Sequence, residues 1–250
     1  MAGALSGRVA LVTGAGKNIG RAIALALARD GATVLVNGRA DRALIDGVVG
    51  EINAIGGQAL AAMADITDET QVAQMLADAI PAVGGIDILV SNAGLRRQTP
   101  FLQISLAEWR EILSVALDGA FILARAVVPH MIARGAGSII ALSGISTHVG
   151  TPNRAHVSAS KAGLEGLMRA LAIELAPHNI RCNAIAPGSV DTVRGPTAGA
   201  RPSSLGDRDI PLGRKARVEE IAGAVRLLAG PEGGYITGQT IHVNGGLFLT

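Results

Sequence analysis

Directly after the first apolar run of the chain comes TGAGKNIG, in which Thr13, Gly14, Gly16 and Gly20 stand at the opening of a helix. Glycines in such a turn let the backbone close on a diphosphate, whose charge the unpaired amides and positive end of the helix stabilise. The spacing departs from the general G-x-G-x-x-G. Ile19 takes the last glycine place and Asn18 stands inside the turn, and asparagine tolerates the positive φ required there. Further on, Arg96 and Arg97 follow the run IDILVSNAG. Forked guanidinium groups suit a carboxylate or phosphate, although a solvated pair of loop charges explains them equally. His148 and His156 offer side chains whose ordinary pKa of about 6.5 suits proton transfer near neutrality. His148 falls in a predicted loop. His156 falls at the start of a predicted helix, where it projects about 100° away from its neighbour Val157.

These groups need a scaffold, and the chain alternates short β-like runs with longer stretches of helical period. The runs are RVALVT, ATVLVN, QALAAMAD, IDILVSN, GSIIALS, IRCNAIAP and QTIHVNG; helical stretches fall at 18–30, 41–55, 68–81, 105–134, near 157–176 and near 217–229. Parallel strands need a crossover of a dozen or more residues, so this alternation predicts an α/β fold. The expectation is a single doubly wound Rossmann domain over residues 1–250, with a parallel sheet of seven strands and helices on both faces. One segment breaks the rhythm: 189–214, rich in Gly, Pro, Ser and Arg, reads either as a flap over a ligand site at the carboxyl ends of the strands or as a disordered loop.

Composition narrows the class. Of 250 residues 49% are hydrophobic, enough for a substantial core, and the net charge is +2 with the basic residues scattered. Scattered charge and only five aromatic residues argue against a nucleic-acid surface. The lone Cys182, in an apolar strand-like run, reads as a small buried side chain. No metal site is expected. Without an uninterrupted apolar run of about 18 residues or a basic-then-apolar N-terminus, the expectation is a cytoplasmic protein that avoids membranes.

The glycine-rich turn resembles the TGxxxGxG motif of the short-chain dehydrogenase/reductase family, and further matches follow in order along nearly the whole chain. Asp65, followed by Ile66, resembles the family's adenine-binding aspartate, and Asn92, Ala93 and Gly94 match its NAG motif. Pro187, Gly188, Val190 and Thr192 in PGSVDT resemble the turn that holds the nicotinamide carboxamide. The ending YITGQTIHVNGG is also similar to the family's. The resemblance implies a nicotinamide cofactor. At the end of the second strand Gly38 stands where an acidic residue would bind the ribose hydroxyls, while Arg39, with Lys17 nearby, offers cations to a 2′-phosphate; NADP(H) is therefore expected over NAD(H).

The resemblance also implies a tyrosine that protonates the carbonyl oxygen, a lysine four residues later that lowers its pKa and grips the nicotinamide ribose, a serine that polarises the carbonyl and an asparagine that supports a water path. This chain keeps Lys161 but has Val157, Gly144 and Ala116 at the other three places. Ser143 is one residue off, on the opposite face of a strand. His148 is the more plausible replacement acid, His156 the less. Ordinary carbonyl reduction is expected to be severely impaired.

Three readings stay open. The first is an NADP(H)-dependent oxidoreductase with altered chemistry, acting on a polar or anionic small molecule. The second is a catalytically silent NADP(H)-binding subunit of a hetero-oligomer, and the third a non-redox enzyme reusing the pocket. The family's usual interfaces imply a homotetramer or homodimer.

Overall fold

The computed structural model describes residues 3–193 and 210–249. Seven strands form one sheet: β1 (Val9–Val12), β2 (Thr33–Gly38), β3 (Gln58–Met63), β4 (Ile88–Ser91), β5 (Gly137–Leu142), β6 (Ile180–Pro187) and β7 (Thr240–Val243). All pairings are parallel and the spatial order is 3-2-1-4-5-6-7. Every residue of β1 and β4 is buried, as a strand covered on both faces requires.

The crossovers run through α1 (Asn18–Arg29), α2 (Arg42–Ala54), α3 (Glu69–Val83), α4 (Leu106–Leu113), α5 (Gly119–Ala133), the short α6 (Ser146–Val149), α7 (Ala155–Glu174) and α8 (Val218–Ala229). Local chemistry sets their starts. Asp41 accepts from the Leu44 amide at 3.0 Å, Asp68 from Thr70 and Gln71 at 2.9 and 3.1 Å, and Ser105 from Glu108 at 3.1 Å. Each satisfies amides that the first turn leaves without intrahelical partners.

Two apolar layers sandwich the sheet. Ile23, Leu27, Ile52, Ile221 and Val225 build one face from α1, α2 and α8. Leu76, Leu123, Val127, Leu164 and Met168 build the other from α3, α5 and α7. Cys182 is fully buried in the second layer, and that burial pushes its thiol up to about 12. The run Leu106–Ala133 is long and apolar enough to cross a membrane by length and composition, but it packs here against the sheet and α7. Its period breaks at a π-turn, Ser114–Asp118, which separates α4 from α5. Of the 189–214 segment, residues 194–209 lie outside the described residues; on its flanks Val190 forms a parallel bridge with Ala216.

The parallel arrangement sends the turn after β1, the NAG segment after β4, Ser143 and Gly144 after β5, and Pro187 and Gly188 after β6 to one rim of the sheet. The order reverses between β1 and β4. Ligands of open α/β sheets bind at the carboxyl ends beside such a reversal.

Candidate active site

The glycine-rich turn is built for close approach. Gly14 has φ +59°, and a Cβ on Gly20 would stand 2.3 Å from the Gly14 carbonyl oxygen, so the tight wrap requires glycine there. Asn18 also adopts a left-handed conformation at φ +51°. The capping position of α1 is Lys17, whose exposed side chain makes no capping bond, and the first turn of the helix carries no acidic residue. The unpaired amides at this end therefore face the crevice. Ile19 is buried in the core below.

The NAG segment holds the turn in shape. Asn92 Nδ2 donates to the Thr13 and Gly14 carbonyls at 2.8 and 3.2 Å, and Thr13 Oγ1 accepts from the Asn92 and Ala93 amides at 3.0 and 3.1 Å. The Asn92 amide nitrogen thus serves the turn, leaving the exposed Gly94 backbone to line the crevice. At the adjoining rim Asp65 accepts from the Thr67 amide and hydroxyl at 3.0 and 2.8 Å and lies 3.8 Å from the exposed Arg39 guanidinium. Ile66 is buried against Gly119. Across the crevice, Pro187 accepts from the Ile145 amide and the Gly188 amide donates to Val243. Thr192 is half-buried, and the next residue meets the glycine-rich turn: Asn18 donates to the Val193 carbonyl at 2.8 Å and accepts from its amide at 2.9 Å. Val190 and Thr192 are therefore tied to the turn through a contact that the sequence motifs do not reveal.

Lys161 projects from α7 to the middle of the rim, where its Nζ donates to the Leu142 carbonyl at the end of β5. A Cβ on Gly94 would lie 3.4 Å from that nitrogen. Burial, with the Arg96 charge adding to it, lowers the Lys161 pKa to about 8. Val157, Ala116 and Gly144 carry no polar side-chain atom. Val157 is buried one turn before Lys161, Ala116 is buried within the π-turn, and a Cβ on Gly144 would meet nothing closer than Ser146 Oγ at 3.8 Å.

Each of the two candidate acids pairs with a glutamate. His148 Nε2 lies 3.0 Å from Glu165 Oε1, and its ring stacks on Phe248 and meets His242 edge-on. The same Glu165 oxygen accepts from Ser143 Oγ, so Ser143 is tied to α7 one turn beyond Lys161. His156 is fully buried and pairs with Glu108 of α4 at 3.1 Å. Thr99 also donates to Glu108 at 2.6 Å, and its hydroxyl is the main reason this carboxylate lies below its ordinary pKa. Position 156 turns toward α4 because 100° of helix separates it from Val157. The arginine pair divides as well. Arg97 is locked in a two-pronged ion pair with Glu111, which raises its pKa, whereas the exposed Arg96 bears on Lys161. Sequence reasoning missed the three glutamates that organise this region. Glu165 had a signal, being a charge inside the apolar stripe of Val157, Leu164, Met168 and Ala172.

Tyr235, the only tyrosine, is fully exposed just before Ile236, whose carbonyl accepts from Asn183 near the start of β6. It stands at the opposite end of the strands from Lys161.

A doubly wound sheet with a glycine-lined helix start, a flanking NAG segment and a lysine at the switch point defines a nucleotide-binding protein of the dehydrogenase kind. Residues 14–248 match the family described as Enoyl-(Acyl carrier protein) reductase. A 3-oxoacyl-[acyl-carrier-protein] reductase of Synechocystis sp. is 39% identical over 247 residues, spanning 98% of this chain and 99% of the relative. One from Thermotoga maritima is 36% identical over 245 residues, with 98% and 99% covered. Among solved structures, a short-chain type dehydrogenase/reductase from Mycobacterium marinum superposes with a TM-score of 0.89 at 36% identity, covering 98% of this chain and 97% of that one. A putative gluconate dehydrogenase from Agrobacterium tumefaciens gives 0.90 at 31% identity, with 97% and 96% covered. The chain belongs to the short-chain dehydrogenase/reductase family.

Proposed function

We propose that this protein is an NADP(H)-dependent oxidoreductase whose proton-donating apparatus has been replaced by apolar side chains, acting on a polar or anionic small molecule. The observation that carries this reading is the contrast on one rim. The glycine-rich turn, the NAG segment and Lys161 share that rim, while the positions that align with the family's tyrosine, serine and asparagine hold Val157, Gly144 and Ala116, with no hydroxyl or amide.

The residues present fit a nicotinamide dinucleotide. Gly14, Gly16 and Gly20 let the turn wrap tightly against Ala93, Leu44 and its own backbone, and the uncapped start of α1 offers amides to a diphosphate. Arg39 and Lys17 would take the 2′-phosphate, Asp65 the adenine, Lys161 the ribose, and the Pro187 to Thr192 turn the carboxamide. When bound, the cofactor supplies or accepts a hydride. The chain's own part is then to orient the acceptor, exclude water and stabilise charge, which favours acceptors already activated, such as a protonated imine or a polarised double bond. Arg96 supports an anionic substrate, and the relatives named as 3-oxoacyl reductases support one that carries an oxo group on a carbon chain. Ribose binding alone accounts for Lys161 in a second reading, a silent subunit beside an active homologue, which the same apolar replacements favour.

Titration with NADPH and NADH, followed by NADPH consumption across oxo-ester, imine and enone panels, tests the proposal. Tighter NADPH binding and slow turnover on activated acceptors are expected. Tighter NADH binding overturns the cofactor assignment, and no consumption on any acceptor leaves the silent subunit as the account.

A further inference from the structure

Asn18 stands at the middle glycine place of the TGxxxGxG turn and does two separate things. Its backbone takes the left-handed conformation found there, at φ +51°. Its side chain leaves the turn altogether: Nδ2 donates to the Val193 carbonyl at 2.8 Å, while Oδ1 accepts from the Val193 amide at 2.9 Å. One carboxamide thus pairs with both polar backbone groups of a single residue, as the facing residue of an antiparallel strand would. A glycine at position 18 offers neither bond.

The segment that Asn18 grips is firmly anchored at its start only. The Gly188 amide donates to the Val243 carbonyl, the Ala216 amide to Ser189 and the Asp191 amide to Ala216, and Val190 bridges to Ala216. Beyond Asp191, among the described residues, the hydrogen bonds that hold the segment are the two with Asn18. Val193 is itself exposed, so burial adds little hold. Thr192, the last residue of the PGSVDT turn, therefore lies between the anchored stretch and the Asn18 clasp.

We propose that Asn18 is a positioning residue for the nicotinamide end of the dinucleotide: by clasping Val193 its side chain holds Thr192 and the PGSVDT turn in a binding-ready place before the cofactor arrives. The role rests on the cofactor reading above and adds to it what keeps the turn in place. A segment that occupies its competent place only part of the time lowers the apparent affinity by that fraction. A hydrogen bond of this kind is worth about twofold to tenfold. Both bonds are exposed, so the expected loss without them is at the low end of their product, at least about threefold.

Asn18→Gly is the test, because glycine adopts φ +51° without strain and only the carboxamide is removed. In the nucleotide-free protein, hydrogen exchange read by mass spectrometry at single-residue resolution should speed up at the Val193 amide by at least about threefold, with the Asp191 amide unchanged. In titrations, NADPH should bind the variant at least about threefold more weakly, while 2′,5′-ADP, which lacks the nicotinamide half, should bind both proteins alike. NADH and AMP replace that pair if the chain binds NADH instead. Unchanged exchange at Val193 overturns the clasp. Weakening of the fragment as much as of the dinucleotide, or no weakening of the dinucleotide, overturns the positioning role while leaving the cofactor reading intact. A native chain that binds neither dinucleotide sinks the cofactor reading and this role together.

Discussion

Replacing Lys161 by methionine should make the nucleotide-free protein more stable. The folded lysine titrates near 8 and the unfolded one near 10.4, so below pH 8 the folded state bears the full cost of holding an ammonium in the cleft. That difference is worth about 3 kcal/mol. Against it stands the bond to the Leu142 carbonyl, worth about 1 kcal/mol. A methionine of similar length fills the same volume, so the net gain at pH 7 is about 2 kcal/mol, or about 4–8 °C in Tm for a chain of this size. The sign follows from proton counts: between pH 8 and 10.4 the unfolded chain binds more protons, so wild-type stability rises with pH and the advantage of the variant shrinks. Above about pH 10.5 it should vanish or turn slightly unfavourable. Urea unfolding of both proteins from pH 6 to 11 is the assay. A variant that is less stable at pH 7, or a difference that does not change with pH, refutes the reasoning.

Other sites give separate tests. Glu165→Ala strands Ser143 and His148, which share one buried oxygen, and should cost about 2–4 kcal/mol in urea unfolding; a change below about 0.5 kcal/mol contradicts that role. Arg97→Ala removes an ion pair at the surface and should cost at most about 1 kcal/mol in urea unfolding, and a loss above about 2 kcal/mol contradicts that surface role. Arg39→Asp should shift the ratio of NADPH to NADH affinity by about tenfold or more toward NADH, read by fluorescence titration; an unchanged ratio counts against the 2′-phosphate assignment.

The fold was legible because its signals are local and repeated. Each buried strand is an apolar run bounded by turn residues, and α2, α3 and α4 start at the capping residues Asp41, Asp68 and Ser105. Tolerance of positive φ made the Asn18 conformation readable as well. Pairings between distant elements were not legible. Nothing near Arg97 in sequence marks Glu111 as its partner from the next helix, and the Asn18 bonds to Val193 span 175 positions. The partners of the histidines were hidden for the same reason. Their intrinsic chemistry suits acid catalysis, but Glu108 and Glu165 decide where they point, and those carboxylates lie on α4 and on a later turn of α7.

The central claim is that the dinucleotide cradle survives while the acid positions around Lys161 are empty of proton donors. Its most direct test compares the native chain with Gly144→Ser, Val157→Tyr in NADPH-dependent reduction of an oxo ester, with NADPH binding measured on both. The account predicts that both bind NADPH and that the double variant reduces the ester at least about a hundredfold faster. Equal rates in two folded, NADPH-binding proteins would contradict it.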